Sequence, residues 1–157
     1  MEPSYEKLLA TLSAAEVRFV IVGGIAVTLQ GYARFTEDID LLIARDQRNV
    51  RQMLACLSSF GEGYAYQLVW EDFEDEEGAI RIIEESELCQ MYLFTRLGGR
   101  TYVDVLEDAS VIKIAGYEVH YASKASLIRW KGQSVREKDR MDANALRLLE
   151  KDQQAFD

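Results

Sequence analysis

Three aspartates lie within apolar runs of the sequence, where acidic side chains are unusual. Asp38 and Asp40 flank Ile39 just before a further apolar stretch, and Asp104 is the middle residue of the apolar run 102–106. Residues two apart on a strand share one face, so Asp38 and Asp40 should lie roughly 7 Å apart along it. Two such carboxylates repel each other unless a cation lies between them. The pattern predicts a divalent-cation site, and magnesium is the preferred ion because it binds carboxylates together with substrate phosphates.

Each of these acids also has a simpler interpretation. Asp38 and Asp40 could be capping or solvated residues at the end of a strand. Asp104 could be an acid of an edge strand, where a charge discourages pairing between sheets. The cation site depends on a fold that brings all three together.

A pair of glycines, Gly23-Gly24, precedes these acids in the sequence. It follows an apolar strand predicted over 19–22 and leads into a short helix predicted over 25–30, which Gly31 ends. Two glycines let the backbone turn sharply and approach a ligand closely, and the free amides of a helix N-terminus attract phosphate. A double glycine alone is also typical of an ordinary turn. It is not a Walker loop, because no Gly-Lys-Ser/Thr follows.

In combination these features resemble the nucleotidyltransferase superfamily related to DNA polymerase beta, near the minimal nucleotidyltransferases and the AbiEii-type toxins. The resemblance covers most of the chain. Besides the glycine pair and Asp104, it rests on Arg34-x-Thr36-x-Asp38-Ile39-Asp40-Leu41 and Arg136-x-Lys138-Asp139-x-x-Asp142. The sequence departs from the family at Gly24, where relatives often have a serine that brings a hydroxyl to the phosphates.

The resemblance implies transfer of a nucleoside monophosphate from a nucleoside triphosphate, such as ATP, to an acceptor hydroxyl, with release of pyrophosphate. Two Mg²⁺ ions, with Mn²⁺ as an alternative, would be held by Asp38, Asp40 and Asp104. Asp104 would share the second ion and could also accept the proton of the acceptor. The nucleotide-side ion would bind the triphosphate, whose oxygens would meet the amides of Gly23 and Gly24.

Three further residues are candidates for phosphate binding in the light of the resemblance. Arg34 and Thr36 could contact the triphosphate or only brace their loop. Lys131 matches a region where relatives have a phosphate-binding lysine, but a cation at the end of a helix also suits the helix dipole. Lys138 and Asp142 are one helical turn apart and could simply pair on the surface.

The acceptor is not determined by the sequence. Relatives modify small antibiotics, proteins or the ends of transfer RNA, and an antitoxin partner or a homodimer could complete the cleft. The net charge of -9, from 18 Lys+Arg and 27 Asp+Glu, argues against nonspecific binding to nucleic acid. Two other functions stay open: a nucleotidyltransferase fold that binds without catalysis, and a component of a toxin-antitoxin pair.

The composition is that of a soluble globular protein, and its length fits one domain over residues 1–157. The N-terminus has no signal pattern, and no apolar run is long enough to span a membrane. Cys56 and Cys89 have no metal-binding or CxxC spacing, so we interpret them as reduced thiols of a cytoplasmic protein. The lone histidine, His120, has no nucleophile motif near it and is interpreted as structural.

These elements predict an α/β (α+β) fold, a mixed sheet flanked by helices with a short C-terminal helical appendage. Strands are predicted over 19–22, 39–43, 64–70 and 78–83, over a hairpin of 90–96 and 100–106, and over a pair of 111–115 and 117–121. The acidic run 71–77 is interpreted as a solvated loop.

The helices are predicted from caps and apolar spacing. Ser4, Asp46, Ser123 and Ser134 are the predicted caps. The buried faces are assigned to Leu8, Leu9 and Leu12 in the first helix, to Val50, Met53, Leu54 and Leu57 in the helix after Asp46, and to Met141, Ala145 and Leu148 in the last.

Overall fold

The computed structural model describes residues 5–32, 38–132 and 137–156. Six α-helices and six strands are found there. The helices are α1 Tyr5–Ala14, α2 Gly23–Leu29, α3 Gln47–Leu57, α4 Tyr102–Leu106, α5 Lys124–Gly132 and α6 Glu137–Phe156. The strands are β1 Phe19–Val22, β2 Ile39–Ile43, β3 Ala79–Glu84, β4 Cys89–Phe94, β5 Ser110–Ile114 and β6 Tyr117–Tyr121. No helix of the described ranges is long and apolar enough to cross a membrane.

The six strands form one mixed sheet in the order β3-β4-β2-β1-β6-β5. β2 lies at its centre, antiparallel to β1 and parallel to β4, and β1 is parallel to β6. Four residues of β2 and all four of β1 are fully buried or nearly so, as expected for apolar strands covered on both faces. The predicted mixed sheet flanked by helices is confirmed.

Local sequence signals explain most of the helices. Asp46 accepts a hydrogen bond from the backbone N–H of Asn49 (2.8 Å) and caps α3, and Ser123 accepts one from Ser126 N–H (3.0 Å) at the start of α5. The predicted apolar faces of α1 and α3 are buried in the hydrophobic core. Ser4 and Ser134 lie outside the described residues.

The strand predicted over 64–70 is wrong. Two short 3₁₀ helices occupy this region, Tyr64–Gln67 and Trp70–Asp72. Gly63 adopts a left-handed φ of +73°, and the buried Glu84 carboxylate accepts hydrogen bonds from the N–H groups of Glu62 and Tyr64, both 2.9 Å. These bonds fold the segment back onto β3, so it cannot run alongside as a strand.

The second arm of the predicted hairpin, over 100–106, is also wrong. It forms α4, whose buried residues Tyr102 and Val105 are three apart, whereas Val103 is 72% exposed. The amide and hydroxyl of Thr101 donate to the Asp104 carboxylate at 2.9 and 3.1 Å. This cap stabilises a helix start, and the three-residue spacing fits a helix better than a strand.

The buried face of α6 differs from the prediction. Met141 and Leu148 are exposed, at 56% and 62%, whereas Asp142, Ala143 and Leu146 are buried. This helix has two sets of apolar residues on neighbouring faces, one with Met141 and Leu148 and one with Ala143 and Leu146. Packing against α5 buries the second set. Asp142 is 2% exposed and so does not lie on the surface, where the pair with Lys138 was predicted; the Lys138 side chain lies outside the described residues.

Candidate functional site

The turn between β1 and α2 lies against the second residue of β2. β1 and β2 are antiparallel, and the register pairs Val22 with Asp40. Gly23 follows with a left-handed φ of +70°, and a Cβ atom built on it would lie 2.8 Å from Asp40 Cγ and closer still to the carboxylate oxygen. Real side chains do not pack that tightly, so only glycine lets the Asp40 carboxylate approach this turn.

Asp38 immediately precedes β2, and Asp40 lies within it. Both residues are half-buried at the N-terminal end of a strand whose other residues are fully buried. Residues two apart on an extended chain share a face, so both carboxylates are expected on one face at the start of β2, and their membership of one site stays a prediction. Gly24 is the second residue of α2, directly after Gly23.

Asp104 is placed differently. Its carboxylate caps α4, and its pKa is held below the ordinary value by the Thr101 amide, then by the Thr101 hydroxyl, with smaller contributions from Arg100 and Arg96. Thr101 and Tyr102, at the start of α4, line a cavity together with Ala44 and Arg45, the residues after β2. This is the C-terminal end of β2, about 13 Å along the strand from Asp40 by the rise per residue.

The three predicted carboxylates therefore do not gather. Across the described ranges, no three acidic, histidine or cysteine side chains form a group that could hold a metal ion. The strand beside β2 is β4, and its residue opposite Asp40 is Tyr92. The sheet thus brings an aromatic side chain to the position where the predicted hairpin would have brought Asp104.

Three of the predicted phosphate contacts fall on residues whose side chains are not described. Arg34 and Thr36 lie outside the described residues. Lys131 belongs to α5, but its side chain is not among those described. The roles of these three residues, and those of Gly23 and Gly24 toward phosphate, stay predictions.

The pKa values of the two cysteine thiols decide whether either could act as a nucleophile. Burial raises the pKa of Cys56 to about 11 and that of Cys89 to about 12, the latter with help from the nearby Glu84 and Glu87 charges. Neither thiol is paired in a disulfide. Thiols with such high pKa values are poor nucleophiles at neutral pH, so neither cysteine is a candidate for catalysis.

A family model described as "Nucleotidyltransferase of unknown function (DUF6036)" matches residues 5–93. The match covers more than half of the chain and contains the glycine turn, Asp38 and Asp40. The chain belongs to this family. The matched range ends before Asp104, so the family assignment rests on the β1–α2–β2 unit and the elements around it.

Comparison with solved structures agrees with this family at the level of the fold. One match is the crystal structure of an antigenic nucleotidyltransferase-like protein from Paracoccidioides brasiliensis, with a TM-score of 0.51 and 19% sequence identity. The match covers 90% of this chain and 72% of that one. At this identity the similarity shows a shared nucleotidyltransferase-like fold and nothing about substrates. No curated protein matches the sequence.

Sequence reasoning missed the side chains that surround Asp40. A cavity of about 220 Å³ opens beside it, with Phe94, Leu97, Leu127 and Trp130 in its wall. These four are apolar residues from three separate parts of the chain, and no motif distinguishes them from core residues. Only the fold reveals that they lie next to the acidic pair.

Proposed function

We propose that this member of the family is a magnesium-dependent nucleotidyltransferase. It would transfer a nucleoside monophosphate from a nucleoside triphosphate to an acceptor hydroxyl and release pyrophosphate. The observation that supports this most is the pair of half-buried acids at the start of β2, with the Asp40 carboxylate in the space that a Cβ atom on Gly23 would occupy.

The acids at β2 suit Mg²⁺. Magnesium in phosphate-transferring sites is bound through one or two carboxylates, and substrate phosphates and water supply the other ligands. Asp38 and Asp40 provide two such carboxylates. The described residues offer no third acid beside them, so this donor set fits one protein-bound ion better than the two of the initial prediction. When bound, Mg²⁺ would neutralise charge on the triphosphate.

The protein's own contribution is to position groups and compensate charge, because phosphoryl transfer leaves little covalent work to the enzyme. Asp38 and Asp40 would hold the Mg²⁺ that binds the triphosphate at the start of β2, and Gly23 leaves the space that the Asp40 carboxylate occupies. Arg34, Thr36 and Lys131 are proposed to contact phosphate oxygens. The acceptor oxygen bonds to the α-phosphorus, the bond from that phosphorus to the β-phosphate oxygen breaks, and the acceptor proton passes to water.

The net negative charge of the protein favours some classes of acceptor over others. With 27 acidic and 18 basic residues, the protein is unsuited to track a long phosphate backbone. We therefore propose a small molecule or a protein as the acceptor, in preference to transfer RNA.

The test is a transfer assay with α-³²P-labelled ATP, GTP, CTP and UTP, Mg²⁺ and fractionated small-molecule and protein acceptors. We expect a labelled product and an equal amount of pyrophosphate with the wild type, and at least a hundredfold less with Asp40→Asn. Glu118→Gln, which changes an exposed acid of β6, serves as the control and should retain full activity. Equal product from the wild type and Asp40→Asn would overturn the proposal.

A second candidate, a module that binds nucleotide without catalysis, is favoured by one observation. Catalytic two-metal sites need more ligands than the two carboxylates found at β2, and the described residues supply no third. Saturable, Mg²⁺-dependent nucleotide binding without pyrophosphate release from any acceptor would favour this module over the transferase.

A further inference from the structure

The cavity beside Asp40 combines one carboxylate with apolar walls. Asp40 and the glycine turn lie at one side, and Phe94, Leu97, Leu127 and Trp130 form the rest of the wall. Such walls exclude phosphates and hydrated sugars, which would lose hydrogen bonds to water there. They suit an uncharged, flat ring about the size of one heterocycle.

The indole N–H of Trp130 marks the polar contact that such a ring would need. This nitrogen is shielded from solvent, and none of the described residues offers it a hydrogen-bond acceptor. Buried donors without a partner are rare in folded proteins and call for an explanation. A ligand that carries an acceptor on its edge would satisfy this donor.

A glycine turn covers the indole. Gly98 and Gly99 have left-handed φ angles of +57° and +77°, and Leu97 and Arg100 close the turn with two backbone hydrogen bonds, 2.9 and 3.1 Å. A Cβ atom on Gly98 would lie 2.8 Å from Trp130 Nε1, so this turn lies directly on the N–H edge.

Two sets of side-chain contacts fasten this turn. The Glu77 carboxylate accepts from the N–H groups of Gly98 (3.1 Å) and Gly99 (2.6 Å). In the other set, Arg100 donates to Ser126 Oγ at 2.7 Å and lies 5.6 Å from the centre of the Trp130 ring. These contacts lie outside the sheet ladder, so a shift of Gly98 would break its 3.1 Å hydrogen bond to Glu77 but no strand pairing.

We propose that this cavity binds the nucleobase of the nucleoside triphosphate, with Trp130 Nε1–H donating to a ring nitrogen or carbonyl oxygen once Gly98 shifts from the indole. The inference rests on the proposed function, since it names where that substrate's base lies. A nucleobase is uncharged, flat and bordered by acceptors, and aromatic side chains bind such rings well. A ribose joins the base to the α-phosphate, and Asp40 borders both the cavity and the proposed metal site.

The experiment uses Trp130→Phe, which keeps an aromatic ring but removes the N–H donor. Trp70→Phe is the matched control, because Trp70 also stacks against an arginine, Arg45 at 4.9 Å, but does not line the cavity. Titration calorimetry would measure binding of the four nucleosides without metal, of the four triphosphates with Mg²⁺, and of inorganic tripolyphosphate with Mg²⁺. Thermal melting confirms that both variants fold.

We expect Trp130→Phe to weaken the binding of the preferred nucleoside and of its triphosphate by roughly fivefold to tenfold, the value of one hydrogen bond. Tripolyphosphate should bind equally to all three proteins, and Trp70→Phe should match the wild type throughout. In ¹⁵N-tryptophan-labelled wild type, the indole resonance of Trp130 should shift on addition of the nucleoside and that of Trp70 should not. This second measurement needs no substitution.

Failure of this inference differs from failure of the proposed function. If no nucleoside binds the wild type, or if the indole resonance and Trp130→Phe show no effect, the base site is refuted even when transfer activity is found. If nucleosides bind through Trp130 but no pyrophosphate is ever released, the base site stands and the transferase proposal fails.

Discussion

Replacement of Gly23 by alanine tests whether the glycine turn exists to position Asp40. The added Cβ would lie 2.8 Å from Asp40 Cγ, against an ordinary contact of at least 3.4 Å, so the carboxyl carbon must retreat by about 0.6 Å and its near oxygen by more. A misplacement near 1 Å can lower catalytic efficiency by about a hundredfold. We expect Mg²⁺-dependent nucleotide binding and transfer to fall by roughly tenfold to a hundredfold in Gly23→Ala.

Stability should fall as well, from two sources. An alanine at φ +70° costs about 1–2 kcal/mol in backbone strain, and the contact with Asp40 adds less than this, because the carboxylate is the end of a half-buried side chain that can rotate away. Gly116→Ala separates these sources, because Gly116 has a similar φ of +85° and nothing within 4 Å of its would-be Cβ. It should show only the strain cost, with nucleotide binding unchanged.

Urea unfolding gives the stability of each variant, and titration calorimetry with Mg²⁺ and a nucleoside triphosphate gives the binding. Wild-type binding by Gly23→Ala, or an equal loss of binding in Gly116→Ala, would refute the idea that this turn positions Asp40 for function.

Three further predictions concern other parts of the molecule. Asp104→Ala should lower the melting temperature, because the Asp104 carboxylate caps α4, but should leave Mg²⁺-dependent nucleotide binding intact. The pKa of Asp104 lies below its ordinary value of 3.8, so the cap stabilises the fold above pH 3.8 and this stabilisation is lost as the pH falls below that value. Loss of nucleotide binding in this variant would restore Asp104 as a ligand. Glu84→Gln should lower the free energy of unfolding by about 1–3 kcal/mol, because an amide NH₂ group would replace one of the two carboxylate oxygens that accept hydrogen bonds from backbone N–H groups. Burial, and then the Glu62 carboxylate, raises the pKa of Glu84 above its ordinary value of 4.5. Protonation of Glu84 therefore stabilises the fold below pH 4.5, and this stabilisation is lost as the pH rises through the raised pKa. The difference in free energy of unfolding between wild type and Glu84→Gln, measured by urea titration, should narrow from pH 4.5 to 7, and a widening difference would contradict this assignment. Cys56 and Cys89 should resist iodoacetamide at pH 7.5 in the folded protein and react in urea, as mass spectrometry can show; rapid labelling of the native state would show that burial does not suppress their ionisation.

The central part of the fold was accessible from sequence because its signals are local and consistent. The apolar runs of β1 and β2, the glycine pair between β1 and α2, and the Asp46 cap each specify a conformation without help from distant residues. The same stretch contains Asp38 and Asp40. Their placement at the N-terminal end of β2 could therefore be predicted together with the strand.

The errors arose where two conformations fit the same pattern. The run 102–106 is apolar apart from Asp104, as in a buried strand, but Thr101 and Asp104 cap it as a helix. This change removes Asp104 from the predicted carboxylate group. In α6 two apolar stripes compete, and only contact with α5 decides which is buried. Long-range contacts, such as Gly98 on Trp130, leave no trace in the local sequence.

The most direct test of the transferase site is a calorimetric titration of the four nucleoside triphosphates into wild type, Asp38→Asn and Asp40→Asn, with Mg²⁺ and with EDTA. We expect at least one triphosphate to bind the wild type only with Mg²⁺, and both variants to bind it at least tenfold more weakly, while Glu118→Gln binds as the wild type does. Binding that is indifferent to EDTA and to both substitutions would contradict a metal site at the start of β2.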